Sequence, residues 1–252
     1  MVRQARSEAT RRKILDAAVA LISEVGYMST GLGDIVERAE LTKGALYYHF
    51  DSKESLADAI VEESGTTVLN AFRRSCESSS PALENIIHGM FVVANLIVGD
   101  RFARTGRQLT RAVGEFTGAA AHNYSSWLAT MTAQTGRASA EGDLRGDLDP
   151  EVAGETIVAA MLGSELLSNA ASGGADLVRR LVRTWEILLP AIATDESLPY
   201  FREFLARESM RNLKPTLSIE QSPAALTFVD PQLLGQVLER GQHNRVVAAQ
   251  QG

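Results

Sequence analysis

A single cysteine, Cys76, stands in a chain of 252 residues, so an intrachain disulfide is excluded and a reducing compartment fits better than secretion. Proline is also scarce, at 7 positions, too few for a chain dominated by disorder. The longest apolar-looking run, Gly89 to Gly99, is interrupted by Asn95 and falls short of the roughly 20 residues that span a bilayer. No transmembrane helix and no membrane partner are therefore expected. Met1 to Glu8 carries charge where a signal peptide needs a continuous apolar stretch, so a cytoplasmic location is expected. No segment alternates strictly between apolar and polar residues between hairpin turns, and no repeat occurs at solenoid periods. The vocabulary of catalysis is thin as well. His49, His88, His122 and His243 lack metal-ligand spacing, Cys76 has no motif around it, and no nucleophile elbow, P-loop or dinucleotide fingerprint occurs. Asp147 and Asp149 lie in what reads as a polar, solvated turn. An enzyme is disfavoured, and neither cofactor nor metal is expected.

What the chain does have is globular composition, 45% apolar and 22% charged, and length enough for a sizeable core. Its net charge of −6 argues at face value against nucleic acid. The distribution tells more than the total. Met1 to Lys13 holds Arg3, Arg6, Arg11, Arg12 and Lys13 against Glu8 alone, which leaves 20 basic and 30 acidic residues for the rest. Such a run is either a solvated helix face or one end of an electrostatic footprint.

Apolar residues recur at helical spacing from the start. Ile14, Ala17, Ala18, Leu21, Ile22 and Val25 define a first helix stopped by Gly26. Ser29 or Thr30 is placed to cap a short second helix carrying Ile35, Val36 and Ala39. Thr42 caps a third, Lys43 to Phe50, in which Leu46 and Phe50 share the inward stripe. Asp51-Ser52 opens a longer helix with Leu56, Ile60 and Val61. Further helices follow, with breaks at Ser78 to Pro81, Gly99-Asp100, Glu141 to Pro150 and Gly173-Gly174. The predicted fold class is all-α: a three-helix head over residues 1–52, a larger helical body over 53–213, and an extension over 214–252 with one plausible helix, Pro231 to Arg240.

Two short helices joined by a tight turn have the layout of a helix-turn-helix, a weak signal until the exposed groups are considered. The third helix begins at Thr42, where free backbone N–H groups and the positive dipole end suit a phosphate. Lys43 reaches a phosphate or a guanine edge, Gly44 permits close backbone approach, and Tyr47, Tyr48 and His49 offer polar tips on flat rings. Thr30 and Lys53 flank this surface as candidate backbone clamps. Of the adjacent tyrosines, Tyr48 also fits half-core packing.

Residues from about Ala9 to Ile60, with Gly26-Tyr27, Thr30, the run Thr42 to Phe50 and Lys53 to Leu56, closely resemble the DNA-binding domain of TetR-family regulators. The resemblance implies that Thr30, Thr42, Tyr47, His49 and Lys53 touch the DNA backbone and that Lys43, Gly44 and Tyr47 lie nearest the bases. It also implies a homodimer reading a palindromic operator in double-stranded DNA. Downstream, Val2-Arg3-Gln4 with Arg6, the run Phe102 to Leu109, and Trp127 resemble the γ-butyrolactone receptors of actinobacteria, repressors released from DNA by a small lactone. That likeness implies a pocket lined by a tryptophan at Trp127. Glu141 to Pro150 is similar to a linker common in the wider family, and the resemblance extends to about Ala193.

Read from its residues alone, the body has helices rich in Phe91, Val92, Leu96, Phe102, Leu109, Phe116, Tyr124, Trp127 and Met131, which suit either a core or an apolar cavity for a small effector. Phe91, Leu109, Tyr124, Trp127 and Met131 are the candidate ligand contacts. The helices from Pro150 to Ala171 and Ala175 to Ala193 carry Val152, Thr156, Ala159, Ala160 and Gly163, then Leu177, Leu181, Trp185, Leu188 and Leu189, a combination suited to a two-fold bundle. Two alternatives stay open: a repressor answering an antibiotic or acyl compound, and a helical carrier that binds no DNA.

Overall fold

In the computed structural model, residues 2–79, 81–113 and 118–213 are described, and among them the secondary structure is helical apart from one isolated bridge pairing Leu144 with Ala193. The helices are α1 (Val2–Val25), α2 (Leu32–Arg38), α3 (Lys43–His49), α4 (Lys53–Ser75), α5 (Ala82–Gly99), α6 (Arg101–Val113), α7 (Gly118–Ala140), α8 (Pro150–Ser172), α9 (Leu177–Ile192) and α10 (Leu198–Asn212). The all-α expectation holds. The helix expected at Pro231 to Arg240, and Phe116, lie outside the described residues.

Local signals set the head. Gly26 turns left-handed at φ 84° and ends α1, its N–H donating to the Ile22 carbonyl at 2.9 Å. The hydroxyl of Thr42 accepts from the Ala45 N–H at 3.2 Å and starts α3, and Ser52 does the same for α4 through Ser55 at 3.0 Å. The second helix departs from expectation: its N-cap is Gly31, whose N–H donates to the Asp34 carboxylate at 3.1 Å. Thr30 does not cap it, because its hydroxyl donates backwards to the Gly26 carbonyl at 2.8 Å. Ile14, Leu15, Ala18, Ile35, Leu46 and Phe50 form the head core, completed by Leu56, Ala57, Ile60 and Val61 from α4. The packing therefore crosses residue 52 without a seam.

In the body, α5 runs through the centre. It extends the apolar run seen at Gly89 to Gly99 back to Ala82, and among the described residues it is the helix long and apolar enough to cross a membrane. Two thirds of it is buried inside the fold, as befits a core helix. Around it, α4 is gripped at two close approaches. A Cβ on Gly106 of α6 would overlap Ser64, and one on Gly65 would overlap Asn123 of α7, whose amide donates to the Val61 carbonyl at 3.0 Å. The last helix, α10, was not singled out from the sequence. It docks on α5 through the buried Glu208, which meets His88 at 3.0 Å and accepts from Arg211 at 3.0 Å.

Candidate nucleic-acid interface and ligand cavity

The third helix presents one face inward and the rest to solvent. Leu46 is fully buried and Phe50 nearly so, while Thr42, Lys43 and Gly44 are exposed, Tyr47 is 53% exposed and Tyr48 75%. The expectation that Tyr48 is half-core is corrected: two residues from both Leu46 and Phe50, it projects about 200° from either and so opposite the buried stripe. Its ring stands edge-on to His49 with centroids 5.0 Å apart. Together with Arg6, Ser7 and Thr10 of α1, Tyr48 and His49 line an open groove between the two helices. Lys43 and Arg6 form no ion pair among the described residues, so both charges face water uncompensated.

The two clamp candidates behave differently. Thr30 is 2% exposed with its hydroxyl committed to Gly26, so its side chain is not on this surface. Lys53 is half-buried beside it, its ammonium donating to the Met28 carbonyl at 3.3 Å and lying 4.4 Å from the centre of the Tyr27 ring. That ring is itself partly buried, and burial, with the charges of Glu54 and Asp58, pushes the Tyr27 phenol up. The basic run at the N-terminus is also less free than its count suggests. Arg11 and Arg12 both pair with Glu63 of α4, with Arg11 over the Phe50 ring and Arg12 over Phe102 of α6 at 4.8 Å. These two arginines fasten the first helix to the body.

In the body, a narrow cavity lies among α4, α5, α6, α7 and α8. Val68, Met90, Val93, Val158 and Met161 supply apolar walls, Tyr124 and Trp127 line it from α7, and Arg107 and Glu165 bring charge. Trp127 also packs on Phe72, centroids 5.2 Å apart. The remaining sequence candidates do not line the cavity. Phe91 is fully buried but turned one helical step from Met90, and Met131 is buried one turn beyond Trp127. Leu109 stands about 200° round α6 from Arg107 and packs into the core of the head.

Sequence reasoning missed the ionic group. Arg107 donates to Glu165 Oε2 from Nε at 3.1 Å and from Nη2 at 2.8 Å, and Arg111 takes Oε1. Burial pushes the Glu165 carboxyl up, but the charges and hydrogen bonds of Arg107 and Arg111 outweigh it and hold the carboxyl below the usual range. A signal was present: a lone acid in the apolar stretch Met161 to Leu167, and arginines at 104, 107 and 111 on one helix.

The expected dimer stripe needs half a correction. Leu177, Leu181, Trp185 and Leu189 are buried in this chain's own core. The outward stripe is Val152, Thr156, Ala159 and Leu166 on α8, with Ile187 of α9 77% exposed.

Residues 14–60 match the bacterial regulatory proteins of the tetR family, and residues 79–194 match the tetracyclin repressor-like C-terminal domain. The A-factor receptor protein of Streptomyces griseus is 34% identical over 193 residues, covering 77% of this chain and 67% of that protein. The crystal structure of a γ-butyrolactone receptor, an ArpA-like protein, superposes with a TM-score of 0.68 at 30% identity, covering 82% of this chain and 99% of the other. CprB from Streptomyces coelicolor, in complex with its biological operator sequence, gives 0.66 at 30% identity over 82% and 99% of the two chains. These relatives are receptors and regulators rather than enzymes. The head built on α1 to α3 and the helical body behind it are those of a bacterial regulator, and the chain belongs to the TetR family.

Proposed function

We propose that this protein is a ligand-responsive transcriptional repressor that holds a palindromic operator as a homodimer and leaves it when a small γ-butyrolactone-type signal enters the cavity of the body. The observation that carries this reading is the solvent face of α3. The N-terminus of α3, a Lys43 without an ion pair among the described residues, an open Gly44 and two exposed tyrosines lie on one solvent-facing surface, and together they offer phosphate and base-edge donors. Thr42, Lys43, Gly44, Tyr47, Tyr48 and His49 are the proposed contacts, with Lys53 at the margin and Thr30 left out. Two such heads, paired across the outward stripe of α8 and Ile187, would enter successive major grooves at roughly 34 Å or a multiple of it. The site of action would be the cytoplasm, where the operator is.

The ligand acts through its differential affinity for two head spacings. Helix α4 connects the two events: Val68 is in the cavity wall and Leu56 in the core of the head, roughly 18 Å apart at about 1.5 Å per residue. The test is fluorescence anisotropy on a duplex selected from a random pool, titrated with γ-butyrolactones and with other apolar metabolites. Salt-dependent binding reversed by the lactones is the expected result. Binding that ignores the lactones overturns the ligand class, and no duplex binding overturns the repressor.

A further inference from the structure

The cavity as it stands is smaller than the effector proposed for it. It has space for about one water molecule, so anything larger enters only if a wall gives way. Helix α5 is one such wall, through Met90, Val93 and Ile97, and its opposite side is occupied. His88 stands about 200° round the helix from Met90, and Asn95 about 200° from both Val93 and Ile97, so the two face away from the cavity. Each is tied to α10: His88 Nδ1 lies 3.0 Å from Glu208 Oε2, and the Asn95 amide donates to Asn212 Oδ1 at 2.6 Å. A third tie joins the buried Glu84, one turn before His88, to the Tyr200 hydroxyl. The ties fall in the same order along both helices, 84, 88 and 95 against 200, 208 and 212, with Phe201 and Leu205 of α10 buried in the core of the body.

Glu208 organises this contact. It is 1% exposed, and besides meeting His88 it accepts from Arg211 at 3.0 Å through Oε1 and from the Asn212 amide at 3.3 Å through Oε2. A desolvated carboxylate is a costly way to join two helices where an apolar side chain of that size would pack. What it supplies is register, because one group grips His88 and holds Asn212 in place for Asn95. We infer that α10 sets the width of the cavity from behind α5, with Glu208 as the positioning residue, and that this brace determines the length of apolar chain an effector can carry. The inference rests on the reading of the cavity as the effector site. An effector that widens the cavity at α5 drives that helix against α10, so long chains meet the brace and short ones do not.

Glu208→Leu should remove the brace with little harm to the fold, because the leucine stays buried while His88 and Arg211, whose side chains are 49% and 69% exposed, return to water. Asn95→Ala breaks the distal tie alone, at an exposed position. The probes are alkyl-γ-butyrolactones and 1-alkanols, each from butyl to dodecyl, applied to the full-length protein. The lactones are read as release of the duplex by anisotropy, and the alkanols as binding by calorimetry. The expected change is selective: in Glu208→Leu the longest chains gain about fivefold over the shortest, the equivalent of about one hydrogen bond. Asn95→Ala should move the same way by less, and Glu208→Gln, which keeps polar contacts without the charge, should restore part of the original preference. Duplex affinity without ligand should hold in all three. Loosening of the structure in general would shift every chain length equally, so a uniform shift, or none, overturns the brace and leaves the cavity as effector site. If the lactones release nothing while the alkanols bind, the lactone class falls, and the alkanol series keeps or overturns the brace by the same criterion. Binding of neither series overturns both.

Discussion

The head and the body bury different things. Within residues 4–52 the buried polar side chain is one hydroxyl, that of Thr30, whereas the body buries the carboxylates of Glu84, Glu165 and Glu208 and the guanidinium of Arg107. The head keeps its chemistry outside, on a short helix whose inner stripe is Leu46 and Phe50. In the body the chemistry is drawn inward from helices far apart in sequence. A buried charge is strongly destabilising when left unpaired, so the body holds together only while its pairs are intact. The exposed side chains of Lys43, Tyr47 and Tyr48 carry no such obligation, and their replacement should change binding without touching the fold.

The largest expected effect follows from that asymmetry. Glu165→Ala leaves two arginines facing each other in the interior and should cost about 3–5 kcal/mol of stability, measured by denaturant unfolding. Acid should probe the same group. In the folded protein the Glu165 carboxyl lies below its usual value, so its contribution is complete above the unfolded pKa and is lost as pH falls through the depressed folded one. Thermal melts should therefore show Tm dropping on acidification below that range, and the drop should be shallower in Glu165→Gln. An unchanged acid profile in that variant would remove Glu165 from the account of body stability.

Next in size are Lys43→Ala and Tyr47→Ala, each expected to cost about 1–3 kcal/mol in duplex binding. Both should leave thermal stability and sedimentation as a dimer unaltered, because neither side chain is in the core. The lysine variant should also flatten the salt dependence of binding if Lys43 contacts a phosphate. Either variant unfolding in parallel with its loss of binding would break the division between an outward-working head and an inward-working body.

This division also explains what could be read from the sequence. Helix order, the Gly26 stop, the Thr42 cap, the restart at Asp51-Ser52 and the inward pair Leu46 and Phe50 are local, set by residues within a turn or two of each other, and all were legible. The cavity is not local. Its lining comes from five helices, and periodicity marks which residues are apolar without saying which neighbour they meet. Phe91, Leu109 and Met131 satisfy the same helical pattern as Trp127 yet face other partners. Thr30 failed for the same reason at smaller scale: a hydroxyl two residues before a helix can bond forward as a cap or backward to Gly26, and the left-handed turn at Gly26 brings that carbonyl within 2.8 Å.

The smallest predicted effect compares two threonines of the head that look alike in sequence. Thr42→Ala removes an exposed cap that accepts from Ala45, and should cost about 1 kcal/mol of stability. Because the start of α3 is also the proposed phosphate site, duplex affinity should fall with it. Thr30→Val removes a buried hydroxyl bonded to a backbone carbonyl while keeping its shape, again at about 1 kcal/mol. Here affinity should hold once the fraction folded is accounted for, since the side chain is 2% exposed and its donor is turned away from solvent. The pair is best read at a temperature well below both melting points, with anisotropy and calorimetry on the same samples. Loss of affinity in Thr30→Val equal to that in Thr42→Ala would mean that the turn at Gly26 rearranges on DNA and presents Thr30 to the phosphates, and the head would then be a surface completed by its ligand rather than one built in advance.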